Sequence, residues 1–167
     1  MFSYFDGGIS DTKNPTFLDL LDLVKIIQNN PQADKIRKIR DLRELGDDSY
    51  KVLKRQLPYI TPNCMVKVRN LDEVNYAQNF ISFSRYLYFD FDIPNAEEFK
   101  TYFIKRYGHL ASMICLSSSG GGISVLFKIK NTITINNFDD IWLTVRNTIL
   151  KDEEIDDSCK DIGRAMF

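Results

Sequence analysis

Between residues 19 and 29 the chain reads DLLDLVKIIQN, with apolar side chains at Leu20, Leu21, Leu23, Val24, Ile26 and Ile27. That spacing is helical, and Asn29-Asn30-Pro31 ends it. Residues 32–44 repeat the period with Ile36, Ile39 and Leu42 on one side, and Lys35, Arg37, Lys38, Arg40 and Arg43 make the same stretch strongly basic. Residues 47–55 predict a third helix with Asp47 or Asp48 as cap. A further helix is expected over 70–79. Residues 96–107 predict an amphipathic helix with Phe99, Tyr102 and Phe103 turned inward, and 138–150 another, with 132–137 leading into it.

Elsewhere the pattern is that of strands. Residues 1–16 read as a strand or arm with turns at Gly7-Gly8 and Asn14-Pro15. YITPNCMVKV, starting at Tyr59, reads as a strand with a turn at Pro62-Asn63. Residues 80–91 are rich in aromatic and β-branched side chains and predict one strand. Residues 112–116 and 123–129 predict two more. Only SSSGGG separates these last two, and so short a link joins antiparallel neighbours. The order is helix-rich first, then β-α-β-β-α. The expected fold class is α+β: a mainly antiparallel sheet flanked by helices. One domain over 1–167 is expected, with a helix-rich part at 1–56 and an αβ core at 57–167.

Composition narrows the function classes. A net charge of −1 removes the global basic signature of a passive nucleic-acid binder. The basic residues of 32–44 therefore read first as a solvated face, with a nucleic-acid contact as the other reading. Three separated cysteines and one histidine, His109, form no zinc pattern and no disulfide framework. His109 reads as a helix-terminus residue. No leader-like N-terminus and no apolar run long enough to span a bilayer is present. A cytoplasmic protein without membrane partners is the expectation.

Three stretches carry candidate chemistry. In YLYFDFDIP, Asp90 and Asp92 are two apart on an apolar strand and point to the same side. Two adjacent carboxylates repel. Either a divalent ion sits between them or the strand ends in solvent. Mg²⁺ and Mn²⁺ favour such oxygens and use few protein carboxylates plus substrate phosphates. In LSSSGGGI, Gly120, Gly121 and Gly122 let backbone amides approach an anion, and the hydroxyls of Ser117 and Ser119 add donors. The readings are a phosphate-binding turn or a plain hairpin; no Walker lysine follows. IDDSCKDIGR offers Asp156, Asp157 and Asp161, then Arg164. Any one of these acids alone reads equally well as an acidic surface turn.

Taken in order, these pieces resemble the archaeo-eukaryotic primase (primase–polymerase) superfamily. The resemblance is closest to the VirE N-terminal, primase-like family of bacterial mobile elements and phages. Lys54-Arg55-Gln56-Leu57-Pro58 with Thr61 is similar to that family's lysine, leucine-proline and threonine segment. Ser84 to Asp92 is similar to its aspartate-pair strand, though Arg85 stands where the family has glycine. Ser117 to Ser124 is similar to its Ser/Gly turn, with Ser124 in place of a lysine and no histidine after the motif serine. Lys128 lies further along the same strand face. Residues 155–167 are similar to its third segment. The matches run from about residue 50 to the last residue, where members of that family continue.

The resemblance implies a metal-dependent nucleotidyltransferase that makes primers or extends DNA on a single-stranded template for a mobile element or phage. It implies two Mg²⁺ or Mn²⁺ ions held by Asp90, Asp92 and Asp156, with Asp161 as the other candidate for the third acid. Ser117, Ser119, Gly120, Gly121, Gly122 and Arg164 would hold nucleoside triphosphates, and Lys54 would contact nucleotide or template. A replicative helicase is the implied protein partner. The other function class kept open is a nucleotide- or single-strand-binding module of the same fold with reduced catalysis.

Overall fold

The computed structural model describes residues 1–69 and 78–167. The helix expected over 70–79 lies mostly outside them. The elements run in the order β1 (Phe2–Phe5), β2 (Thr16–Leu18), α1 (Leu20–Asn29), α2 (Ala33–Glu44), α3 (Ser49–Lys54), β3 (Tyr59–Thr61), β4 (Cys64–Val66), β5 (Phe80–Phe83) and β6 (Tyr86–Asp92). They continue with α4 (Ala96–Tyr107), β7 (Ala111–Leu116), β8 (Gly122–Lys128), α5 (Phe138–Thr148) and a 3-10 turn at Asp157–Lys160. The class is α+β with antiparallel sheets flanked by helices.

The strands divide into three small sheets, ordered β2-β1-β3, β4-β5 and β6-β8-β7, and all their pairings are antiparallel. The expected strand over 80–91 is therefore two strands in two sheets. Arg85 adopts φ 71° between them, a left-handed conformation that no strand continues through. Ser84 pins the break: its hydroxyl donates to the Pro62 carbonyl at 2.6 Å and accepts from the Tyr86 amide at 3.0 Å. The Pro62-Asn63 turn is where the sequence puts it, and β3 and β4 on its two sides join different sheets. Residues 1–56 hold β1 and β2 as well as three helices. β1 runs beside β3, pairing Ser3 with Thr61.

The helix ends follow local chemistry. Asp19 caps α1 by accepting from the Asp22 amide at 2.9 Å. At α3 it is Asp47, not Asp48, whose carboxylate accepts from the Ser49 amide. Phe103 of α4 is fully buried and Phe99 partly, but Tyr102 is 42% exposed rather than inward. Its hydroxyl reaches out to Glu153 at 2.9 Å.

One main core joins the two parts of the chain. Phe2 and Leu23 share it with Phe89, Phe91, Ile123, Val125, Phe138 and Trp142. On one face of β6, Phe89 stacks on Trp142 at 4.9 Å and Phe91 meets Phe103 at 5.0 Å. The opposite face carries Tyr88, Asp90 and Asp92 in alternation. Burial of Phe89 and Phe91 thus fixes which way the two aspartates point. Among the described residues no helix is long and apolar enough to cross a membrane.

Candidate active-site cleft

Asp90 and Asp92 lie on the floor of an open cleft of about 720 Å³. β8 runs beside them, setting Ser124 opposite Asp90 and Gly122 opposite Asp92. The Ser124 hydroxyl hydrogen-bonds Asp90 Oδ1 at 3.1 Å and lies 3.2 Å from the Tyr88 hydroxyl. A Cβ on Gly122 would collide with the Phe91 carbonyl, so only glycine lets the strands close up beside Asp92. Burial pushes the Asp90 carboxyl above its ordinary value, and the like charge of Asp92 adds to this. Lys54 and the hydroxyls of Ser124 and Tyr88 pull the other way without reversing it. Asp90 is a carboxylate short of positive charge.

The Ser/Gly turn forms the next wall. Ser117, Ser118, Ser119 and Gly121 line the cleft. The Gly120 amide donates to the Ser117 carbonyl at 2.9 Å, closing a turn that Gly120 completes at φ 70°. The Ile93 amide donates to the Gly121 carbonyl at 3.1 Å and ties the turn to the end of β6. The hydroxyls of Ser117 and Ser119 lie 3.4 Å apart.

The remaining walls mix cations with apolar and aromatic side chains such as Ile9, Tyr50, Ile93 and Phe167. Arg43 of α2, Lys51 and Lys54 of α3, Arg55, Arg69 and Arg164 all reach the cleft. Lys51 is paired with Asp48 at 2.7 Å, and Arg69 donates to the Gly163 carbonyl at 2.8 Å. Arg43, Lys54 and Arg55 form no salt bridge among the described residues. Six cations facing two carboxylates suit a polyanion better than a neutral ligand.

Of the residues singled out from sequence, Asp90, Asp92, Ser117, Ser119, Gly121, Lys54 and Arg164 line this one space. Gly120 and Gly122 shape the turn beside it. Asp156 and Asp161 do not line it. The Asp156 carboxylate is taken up by three donors: the Ser158 amide at 2.9 Å, the Ser158 hydroxyl at 2.6 Å and Arg164 Nη2 at 2.8 Å. Burial alone would raise its carboxyl, but the Ser158 bonds and the Arg164 charge overcome that and hold it below the ordinary value. Its amide donates to the Asp90 carbonyl at 3.2 Å, so its backbone stays beside β6 while its side chain serves Arg164. The exposed Asp161 accepts from the Gly163 amide at 2.9 Å, and its carbonyl takes the Asn63 amide group at 3.1 Å. Among the described residues no three His, Cys, Asp or Glu side chains gather as a metal cluster. Lys128 stands at the far end of β8, opposite Tyr86.

Arg40 and Arg43 belong to the stretch that sequence reasoning read first as a solvated face; Arg43 is exposed and also lines the cleft, while Arg40 is half-buried behind the Ser/Gly turn. They are three apart on α2, hence on one side of it. Arg40 donates to the carbonyls of Ser118 and Ser117 at 3.4 and 3.5 Å. The Arg43 guanidinium lies directly over Gly121, and a Cβ there would strike it. The signal lay in the pairing of a bare glycine with a basic helix, and only the tertiary fold brings the two together. No known protein family, curated protein or solved structure matches this chain.

Proposed function

We propose that this chain is a metal-dependent nucleotidyltransferase with a primase–polymerase-type core, acting on nucleoside triphosphates and a single-stranded DNA template. The observation that carries the reading is the convergence in one cleft of a same-face carboxylate pair, a Ser/Gly turn and six cations. An aspartate pair alone fits many sites. The three features together fit a triphosphate bound with a divalent ion.

The donor set fits Mg²⁺ or Mn²⁺. Asp90 and Asp92 present hard oxygens from one strand face, and the Asp90 carboxyl is raised first by burial and then by the like charge of Asp92, both of which a bound cation would offset. When bound, the metal supplies Lewis-acid stabilisation of the triphosphate and activation of the attacking hydroxyl. Ser124 holds Asp90 in place by its hydrogen bond. Ser117, Ser119 and the amides of the glycine turn receive phosphate oxygens, and Arg43 and Arg164 neutralise their charge. Lys54, whose charge already acts on Asp90, supplies the positive group that the resembled family draws from the lysine position occupied here by Ser124. Asp156 orients Arg164 toward the cleft, and the metal-binding carboxylates are Asp90 and Asp92. A replicative helicase and a mobile-element setting belong to this proposal on the strength of the motif order alone.

One observation favours a second reading, a nucleotide- or single-strand-binding module without catalysis. The third acid, Asp156, is committed to Arg164 and Ser158. Primer synthesis on single-stranded DNA with Mg²⁺ or Mn²⁺ separates the two. Wild type is expected to make labelled products, and Asp90→Ala/Asp92→Ala to lose at least 100-fold in rate. Product formation by the double variant at wild-type rate overturns the site. Nucleotide binding by wild type with no synthesis under either metal selects the binding module.

A further inference from the structure

A second cavity, of about 210 Å³, adjoins the cleft, and Ser118 and Phe167 line both. Its walls are mostly apolar: Leu23 and Ile26 of α1, Ile36 of α2, Ile60 of β3, Leu116 of β7 and Met166. Nucleotidyl transfer gives this space no task. Tyr4, Asn30, Gln32 and Tyr59 also line it, and two further polar groups, Ser118 and Arg40, have hydrogen-bonding capacity to spare. The Ser118 hydroxyl has no hydrogen-bond partner among the described residues, although the residue is only 7% exposed. An unmade buried hydrogen bond of this kind is destabilising. Arg40 is the second group. It is half-buried, forms no salt bridge among the described residues, and spends two of its donors on long contacts of 3.4 and 3.5 Å to main-chain carbonyls. A guanidinium has five N–H groups, so most of its capacity is left.

We propose that this cavity is a binding site for a small monocarboxylate with an apolar ring or short hydrocarbon body. The carboxylate accepts from Arg40 and from the Ser118 hydroxyl, and the body lies among Leu23, Ile26, Ile60 and Leu116. Size supports a one-ring ligand, since an apolar cavity of about 150 Å³ is enough to admit benzene. Charge supports an acid over a neutral compound, because an anion turns an uncompensated arginine into a charge-assisted pair. The same Arg40 holds the carbonyls of Ser117 and Ser118, so an occupant of this cavity bears directly on the turn that faces the cleft.

The test is a titration of the whole chain, free of metal and nucleotide, with 3-phenylpropanoate and with uncharged 3-phenylpropan-1-ol as probes. Because neither metal nor nucleotide is present, its outcome is independent of whether primers are made. Amide chemical shifts locate binding and calorimetry measures it. The acid is expected to bind saturably at one site at least tenfold tighter than the alcohol, shifting Leu23, Ile60, Leu116 and Gly120. Arg40→Gln should weaken the acid at least tenfold while changing alcohol binding less than twofold, which also shows that the cavity still forms. Ser118→Ala should weaken the acid several-fold. No saturable binding of the acid, equal binding of acid and alcohol, or shifts confined to Asp90, Asp92 and Arg164 overturns the proposal.

Discussion

Asp90 carries a cost that its neighbours only partly offset. Burial and Asp92 both disfavour its charge, and Lys54 and the hydroxyls of Ser124 and Tyr88 oppose them. Asp90→Asn keeps the side-chain shape and removes one of the two like charges. Its melting temperature in metal-free buffer at pH 7 is expected to exceed that of wild type, by about 2–4 °C for each kcal/mol of repulsion relieved. The same variant should lose any stabilisation by Mg²⁺, since the proposed metal site exists only in the folded chain. A scanning-calorimetry comparison with and without Mg²⁺ checks both halves, and a lower metal-free melting temperature contradicts the first.

The thiols give a second prediction at this scale. Burial pushes the Cys115 thiol up to about 11, with Asp90 adding to the shift, and raises Cys159 further. A thiol raised on folding binds its proton more tightly in the native state. Its contribution is complete below the unfolded value of about 8.5 and is lost as pH rises toward 11. The thiolate absorbance at 240 nm contributed by Cys115 and Cys159 in the native protein should therefore stay flat through pH 9, while stability in urea falls between pH 8.5 and 11. Thiolate signal from Cys115 or Cys159 at pH 8.5 in the native state would contradict the raised values.

At the scale of elements, the break between β5 and β6 decides where the aspartates stand. Arg85 holds a left-handed conformation that costs a non-glycine residue about 1–2 kcal/mol. It occupies the position where the resembled primase-like family has glycine. Arg85→Gly should be neutral to stabilising by up to about 1 kcal/mol, strain relief exceeding the extra chain entropy of glycine. Arg85→Val should destabilise by about 1–2 kcal/mol, since β-branching makes that conformation harder still. Urea midpoints read both, and an equal loss in the two variants contradicts the turn.

What was legible at this scale follows from what local patterns encode. The periodicity of α1, α4 and α5 and the antiparallel link between β7 and β8 are local, and the sequence shows them within a residue or two. The strand over 80–91 was misread because its apolar content is continuous across Ser84-Arg85, and a left-handed arginine has no compositional mark. The basic face of α2 is solvated as read at Arg37, Lys38 and Arg43, but the contacts that Arg40 and Arg43 make with the glycine turn were not legible, for a different reason. A solvated arginine and one laid over a distant glycine turn look alike in one dimension, and the contact spans 78 residues. Asp156 was legible as an acid close to the site. That its oxygens go to Ser158 and Arg164 depends on the path of the last ten residues, which return beside β3 through reciprocal Ile60–Met166 bonds at 2.9 Å.

At the scale of the molecule, the sequence suggests a seam at residue 56, and the packing crosses it throughout. β1 supplies the middle strand of the β2-β1-β3 sheet. Phe5 stacks on Tyr59 at 4.7 Å, and the Ser3 hydroxyl exchanges hydrogen bonds with both backbone groups of Val66 at 2.8 and 3.0 Å. Phe2 and Leu23 share one core with Phe89 and Trp142. Four of the six cleft cations, Arg43, Lys51, Lys54 and Arg55, precede residue 57. Removing 1–56 therefore exposes Tyr59, Ile60 and Val66, leaves β3 without its ladder, and strips the cleft of most of its positive wall. A polypeptide of residues 57–167 is expected to show no cooperative thermal transition and to bind a hydrophobic dye. In the full chain, Phe2→Ala alone should cost about 3–5 kcal/mol, the usual loss for a wholly buried phenylalanine. A well-dispersed NMR spectrum and a sharp melt from the 57–167 polypeptide would show instead that the αβ core stands alone. The N-terminal helices would then be a wall added to a finished domain, and their arginines dispensable for its folding.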